Sequence, residues 1–292
     1  MKTLYESLLD GFDALSEPIS PKAIKKEIKQ FLKMNYKSPS TFKISSKPND
    51  DGLYEVTCNG KQIHVYTSAA TLTNGLFKFV NFDGSFYCNQ NPNLTSLEGA
   101  PEKVGGHFIC SHCPNLISLE GCPKEVGQGF ECAFCHNLKT LYGAPEKILG
   151  SFNCNNCSNL KSLKGAPEKV GGLFSCKSCR SLTSLEGAPK DVGGCFGCNY
   201  CASLTTLEGA PKKIKKDFSC NGCTSLTSLK GAPKEVMGYF CCDNCASLTT
   251  LEGAPRLVGS SFMCRNCGKQ FTKTDVIAYT NIRTSTVRLQ LN

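Results

Sequence analysis

The sequence predicts an α+β chain dominated by repeats: a curved solenoid of parallel strands, with about nine coils of 22 residues between an N-terminal α+β cap and a short C-terminal cap. Nine cysteines, the first column, recur at 22-residue intervals from Cys88 to Cys264. Eight more, the second column, lie three positions after the first from Cys113 to Cys267. A phenylalanine precedes each first-column cysteine by two residues, from Phe86 to Phe262. We number the coils 1 to 9 by their first-column cysteines.

The repeat unit reads F-x-C-x-x-C-x-x-L-x-x-L-x-G-A-P-x-x-V-G-G-x. Alternate residues of a strand point to the same side, so we expect Phe and the first cysteine to face the core together. Gly-Ala-Pro cannot continue a helix or a central strand, and it should form the outer side of each coil. Val-Gly-Gly should then be the turn that leads back into the strand.

The pattern divides the chain into three regions. Residues 1–80 form the N-terminal cap, residues 81–267 the solenoid and residues 268–292 the C-terminal cap. In the last region, residues 274–279 are predicted as a short helix and residues 284–291 as a closing strand. Such caps are needed because the terminal coils of a solenoid would otherwise expose its core.

The N-terminal cap combines helical and strand patterns. Apolar residues at helical spacing predict helices around residues 4–15 and 24–32, and alternating residues after them predict a β-meander. Turn residues at 49–52 separate two of its strands, and Asn59-Gly60 is a strong hairpin signal. Residues 62–84 are expected to be a degenerate coil that joins the cap to the stack.

Several stretches resemble known repeat proteins. The unit matches the leucine-rich-repeat template L-x-x-L-x-L-x-x-[N/C]-x-L, with the second cysteine at the Asn/Cys position. The run at Cys179–Gly194, together with Leu4–Asp10 and Leu72–Phe77, is similar to leucine-rich-repeat proteins encoded by bacteriophages of gut bacteria. That group often carries Asn at the second column, which this chain keeps only at Asn91. The resemblance implies a protein-interaction role, with a host or virion protein as the partner.

Composition excludes two classes of protein. No run approaches the roughly 18 apolar residues of a membrane-spanning helix, so we expect no membrane span. Glu6 and Asp10 interrupt the stretch where a signal peptide would be apolar, which predicts a cytoplasmic location with reduced thiols. The count of 21 cysteines is odd and cannot pair completely within one chain. A secreted disulfide scaffold is therefore not expected.

The cysteine columns have two competing interpretations. In a structural ladder, the first cysteine packs as a small apolar residue and the second donates its S–H to a buried carbonyl of an adjacent coil. Alternatively, C-x2-C-x18-C-x2-C has the spacing of a zinc ribbon, so zinc or an iron–sulfur centre is possible. Asn91 favours the ladder, because Asn can donate that hydrogen bond but is a poor replacement for a thiolate on zinc. We predict no cofactor and a ladder of Asn91, Cys113, Cys135, Cys157, Cys179, Cys201, Cys223, Cys245 and Cys267.

The strand residues that face out of the core are the candidate binding surface. They vary from coil to coil, whereas the core columns are nearly constant, and they would line the concave face that such stacks use for binding. Their mixed, mostly small and polar character suits a protein partner better than a lipid. The predicted partner-binding residues are Tyr87, Ile109, Glu131, Asn153, Ser175, Lys177, Asn199, Asn221, Asp243, Met263 and Arg265.

Nucleic acid is a third, disfavoured partner. The net charge is +9, and a basic stripe along the edge of the solenoid could follow a phosphate backbone. Acidic residues recur four positions before three of its members, however, and no aromatic residues alternate with it. The stripe consists of Lys190, Lys212, Lys234 and Arg256.

Catalysis has the least support. His107, His112 and His136 occupy three different coil positions, so they form no column of ligands. No glycine-rich loop follows a strand and opens a helix, as a phosphate-binding loop would. Nothing in the sequence marks one of the cysteines as a low-pKa nucleophile. We therefore predict a non-enzymatic interaction scaffold.

Overall fold

The computed structural model describes residues 43–50, 52–57, 64–66, 76–280 and 288–291, together with helical positions between 23 and 29. This part of the chain is a parallel β-solenoid of about nine turns with a 22-residue repeat. No helix occurs in the coils between residues 88 and 267, which are described throughout. Among the helices that are described, none is both long and apolar enough to cross a membrane.

One sheet takes a strand from every coil at the F-x-C segment, as the sequence predicted. All its strands are parallel, and equivalent residues of successive coils are paired, such as Phe130 with Phe152 and Phe152 with Phe174. We call it the phenylalanine sheet. Its strands are His64–Tyr66, Ser85–Tyr87, Phe108–Ile109, Phe130–Glu131, Phe152–Asn153, Phe174–Ser175, Phe196–Gly197, Phe218–Ser219, Phe240–Cys241, Ser261–Met263 and Arg288–Gln290.

A second set of strands was not anticipated. The valine or isoleucine of the Val-Gly-Gly segment lies in a short strand and not in the turn. The turn towards the phenylalanine sheet is therefore made by the Gly-Gly region alone. We call these strands the valine side. Eight form one sheet: Lys43–Ile44, Tyr54–Thr57, Val80–Phe82, Lys103–Val104, Glu125–Val126, Lys147–Ile148, Lys169–Val170 and Asp191–Val192. Three more form a second sheet: Lys213–Ile214, Glu235–Val236 and Leu257–Val258.

In coils 1 to 8 the core contains one copy of each apolar column per coil. Phenylalanine rings from Phe86 to Phe262 stack on one another with centroids 5.1–5.5 Å apart. The first-column cysteines, the two leucine columns and the valine column are buried beside them. Burial of one such large apolar side chain stabilises the folded state by about 1.5–3 kcal/mol. Because the coils repeat the same columns, they add similar amounts of stabilisation.

The outer side of each coil turns at the glycine of Gly-Ala-Pro. This glycine has φ between 82° and 96° in coils 1 to 8, including coil 2, where Cys122 replaces the alanine, and side chains disfavour this region. The backbone also passes close to the preceding coil, since a Cβ at Gly121 would lie 2.4 Å from the Glu98 nitrogen. Glycine therefore both permits the turn and allows the coils to approach.

The N-terminal region differs from expectation at one turn. Lys43–Ile44 and Tyr54–Thr57 pair antiparallel across the turn predicted at residues 49–52. The hairpin predicted at Asn59-Gly60 is wrong, because Tyr54–Thr57 lies on the valine side and His64–Tyr66 in the phenylalanine sheet. Each strand instead pairs parallel with the next coil, so both sheets extend upstream of residue 80. The helix predicted around residues 4–15 lies outside the described residues.

The C-terminal region closes the phenylalanine sheet. The predicted helix is found at Lys273–Tyr279, and Thr272 caps it by accepting a hydrogen bond from the Asp275 nitrogen at 3.2 Å. The predicted closing strand is found at Arg288–Gln290 and pairs parallel with Ser261–Met263. Residues 281–287 lie outside the described part of the chain.

Candidate functional site

The second-column cysteines form a ladder of hydrogen bonds between coils. Each thiol donates to the carbonyl of the first-column cysteine in the preceding coil, with Sγ–O distances of 3.2–3.4 Å in all eight cases. Within the described residues, most of these buried carbonyls accept a hydrogen bond only from the second-column thiol. The Cys220 carbonyl is an exception, because it also accepts from the Cys223 nitrogen. At coil 1, the Asn91 side-chain oxygen accepts a hydrogen bond from the Asn93 nitrogen at 3.1 Å.

Eight first-column cysteines, from Cys88 to Cys242, are core residues whose pKa favours the protonated thiol. Burial raises the pKa of the Cys88 and Cys110 thiols well above the ordinary value. Neighbouring thiols and burial together raise the pKa of Cys132, Cys154, Cys176, Cys198, Cys220 and Cys242 in the same direction. Thiols in this state are poor nucleophiles, because the thiolate is the reactive form.

The arrangement of the thiols bears on the two interpretations of the cysteine columns. All twenty cysteines in the described residues are free thiols; Cys58 lies outside them. No group of three or more His, Cys, Asp or Glu side chains in these residues is arranged to hold a metal ion. The second-column sulfur atoms are directed at backbone carbonyls, which is the geometry of the structural ladder.

The predicted partner-binding residues lie on the face of the phenylalanine sheet that points away from the core. Tyr87, Ile109, Glu131 and Asn153 are neighbours in one row, paired strand by strand, and all are partly exposed. Ser175 continues this row in coil 5 but is 1% exposed, and Met263 is its member in coil 9. We call this surface the sheet face.

In coils 4 to 9, polar side chains of the sheet face bind the solenoid itself. The Asn155 side-chain oxygen accepts hydrogen bonds from Ser175 Oγ and the Lys177 nitrogen, both at 2.7 Å. Further cases are Asn199 with Ser219 and Asn221, Asn221 with Asn244, and Asp243 with the backbone nitrogen and guanidinium of Arg265. Between coils 2 and 3, Ser111 Oγ likewise accepts from the Ala133 nitrogen at 3.2 Å. These contacts satisfy backbone nitrogens of the next coil. Ser175, Asn199, Asn221, Asp243 and Arg265 therefore have a structural role that the sequence analysis did not assign.

The sheet face in coils 2 to 4 contains a notch that the sequence did not reveal. Gly129 leaves space between His107 and Ser151, because a Cβ there would lie 2.7 Å from His107 Nδ1. The resulting cavity of about 420 Å³ is lined by His107, Gln128, Glu131, Ser151, Asn153 and three glycines. Among the described residues, His107 Nδ1 is buried without a hydrogen-bond partner and Glu131 forms no ion pair. The one sequence signal was the glycine at a column occupied by larger residues in neighbouring coils.

The charged edge beside the valine strands carries a series of ion pairs. Ion pairs join successive coils, for example Lys124 with Glu102 at 2.6 Å and Lys190 with Glu168 at 2.7 Å. Both partners of such pairs are exposed, so each pair contributes little to stability. Within the described residues, Lys212, Lys234 and Arg256 have no ion-pair partner.

Comparison with known proteins adds no relative. No family model matches this sequence, and neither the curated proteins nor the solved structures include one that matches it.

Proposed function

We propose that this chain is a non-enzymatic interaction scaffold of the leucine-rich-repeat type, whose sheet face binds a protein partner. The observation that carries the proposal is the row Tyr87, Ile109, Glu131 and Asn153 beside the notch. These side chains vary while the core columns repeat. All four are partly exposed.

The chemistry of the row suggests what the partner presents. Tyr87 and Ile109 offer an aromatic and an aliphatic surface, and Glu131 brings an unpaired carboxylate to the notch. A partner with an apolar side chain followed by a lysine or arginine would complement both parts. Partly buried charge pairs and aromatic anchors often dominate the binding energy of such interfaces. The phage resemblance would make the partner a host or virion protein.

The test is photocrosslinking from the sheet face in a lysate of the host. A photoreactive residue at position 109 should crosslink one protein species, and the triple variant Tyr87→Ala, Ile109→Ala, Glu131→Gln should weaken binding of that purified species by about tenfold or more. The control is Glu120→Gln with Glu208→Gln, which removes the same type of charge at exposed positions elsewhere. Equal binding by wild type and the triple variant would refute the assignment of this surface.

A further inference from the structure

The residue before each second-column cysteine has a left-handed backbone in every coil. Its φ lies between 53° and 71°, and Asn or Gly occupies it in coils 4, 7, 8 and 9. These residues tolerate this conformation best, whereas bulky side chains are penalised there. The chain nevertheless places Phe134 and Tyr200 at this position. Strained positions that carry large exposed side chains are candidates for function.

The aromatic rings at these positions pack against neighbouring groups and remain partly exposed, and Phe134 also meets His136 edge to face with centroids 6.4 Å apart. The Phe134 ring stacks on His112 with centroids 4.3 Å apart and an angle of 11°, and it remains 37% exposed. Tyr200 is 56% exposed, and its ring lies over Gly222, where a Cβ would come within 2.5 Å of the ring. Phe134 and Tyr200 are three coils apart, which corresponds to roughly 15 Å along the stack.

Basic residues occupy the coils between the two rings. Lys139, Lys161, Lys177 and Arg180 are exposed, and none of them has an ion-pair partner among the described residues. We call the turn face the surface made in coils 2 to 6 by the C-x-x-C turns and by the two residues after the first leucine; Arg180 borders it, directly after the turn of coil 5. None of these positions carries Asp or Glu, and most carry Asn, Ser or Thr.

We propose that the turn face binds single-stranded nucleic acid lying along the solenoid, with bases stacked on Phe134 and Tyr200 and phosphates near the basic residues between them. Exposed rings alternating with positive charge are what sequence-tolerant single-strand binding requires. The basic stripe on the charged edge lacks such rings. A protein partner fits less well, because Ile117 is the one aliphatic residue larger than alanine on this face. The turn face shares Lys177 and the other residues after the first-column cysteines with the sheet face. Phe134 and Tyr200 lie outside the row Tyr87, Ile109, Glu131 and Asn153, so this inference does not depend on the proposed protein partner.

The test is fluorescence anisotropy of the full chain with labelled oligo(dT) and oligo(U) of about 12 nucleotides, between about 50 and 200 mM KCl. We expect Phe134→Asn with Tyr200→Asn to weaken binding by about 30-fold or more, because two stacked bases are lost. Asn is native to this column at Asn156, Asn244 and Asn266, so the fold should persist, which a thermal melt verifies. Replacing Lys139, Lys161 and Lys177 by Gln should lower the logarithmic salt slope by about 2.

Two controls separate this site from general charge effects. Lys212→Gln with Lys234→Gln on the charged edge should leave oligonucleotide affinity unchanged. Heparin, a polyanion without bases, should bind equally to wild type and the double asparagine variant. The proposal is overturned if wild type fails to bind oligonucleotides at up to about 100 µM in low salt, if the double variant binds as well as wild type, or if the edge variant alone loses binding. Tighter binding of polyglutamate than of oligonucleotides would instead identify a protein site.

Discussion

At the scale of single residues, the cysteine columns show how a thiol can act as a repeated backbone partner. The thiol of Cys157 donates to the Cys132 carbonyl at 3.2 Å, where both groups are buried. A buried carbonyl without a donor costs about 1–3 kcal/mol, so eight such thiols remove a substantial penalty. Sequence reasoning anticipated this bond because Asn91 replaces cysteine once, and both residues can donate.

Replacing one rung tests this role. Cys157→Ala should lower the free energy of unfolding by about 1–3 kcal/mol, because it removes the donor and leaves a small void. Cys157→Ser keeps a donor and should cost about 1 kcal/mol less than alanine. Urea denaturation under reducing conditions measures both variants. Equal stability of the two variants would show that the thiol only fills space.

The side-chain ladder of the sheet face was not predictable at this scale. Asn199 and Asp243 appeared as variable exposed positions, yet their oxygens accept from backbone nitrogens of Asn221 and Arg265. A backbone nitrogen needs a side-chain acceptor where its two-residue strand ends and the backbone ladder stops. The end of each strand is set by how the coils stack, so it cannot be read from the sequence of a single coil.

At the scale of elements, strand length explains what the sequence did and did not reveal. The F-x-C segment was recognisable because Phe and Cys alternate. Strands such as Lys103–Val104 and Glu125–Val126 contain two residues, which is too short for any alternation. They form because equivalent residues of successive coils are held in register, so their stability is a property of the stack.

Adjacent residues at the phenylalanine sheet should differ sharply in how much their replacement lowers the free energy of unfolding. Phe174 is fully buried between two stacked rings, whereas Leu173 beside it is 37% exposed. Phe174→Ala should cost about 3–5 kcal/mol of unfolding free energy, and Leu173→Ala about 1 kcal/mol or less. Thermal or urea unfolding of the two variants provides the comparison. A similar loss for both would contradict the assignment of the core.

At the scale of the whole molecule, the repeated thiols couple stability to pH. The folded-state pKa of the eight first-column thiols from Cys88 to Cys242 is raised, whereas an unfolded thiol titrates near 8.5. Below about pH 8.5 these thiols are protonated in both the folded and the unfolded chain, and the stability that depends on their protonation is fully present. Above it the unfolded chain releases protons first, so the contribution falls as the pH rises towards the folded-state values.

We therefore expect cooperative unfolding in mild alkali. Each of these eight first-column thiols should lower the unfolding free energy by about 1.4 kcal/mol per pH unit above the unfolded pKa, and the effect sums over their coils. Urea titrations between about pH 7.5 and pH 10 in the presence of a reductant would measure the slope. Cys154→Ala should reduce that slope by the share of one thiol. A stability that stays constant to pH 10 would refute the prediction.

The uniform register between coils also has a genetic consequence. Every coil meets its neighbours through equivalent residues, as Phe152 meets Phe130 and Phe174. Unequal crossing-over between two repeats of the gene, at any matching point, would add or delete one complete unit and create only interfaces of a kind already present. Such an event would lengthen or shorten both exposed faces by one position while leaving the packing unchanged. The extent of the recognition surface can thus be inherited as a copy number, separately from the identity of its residues.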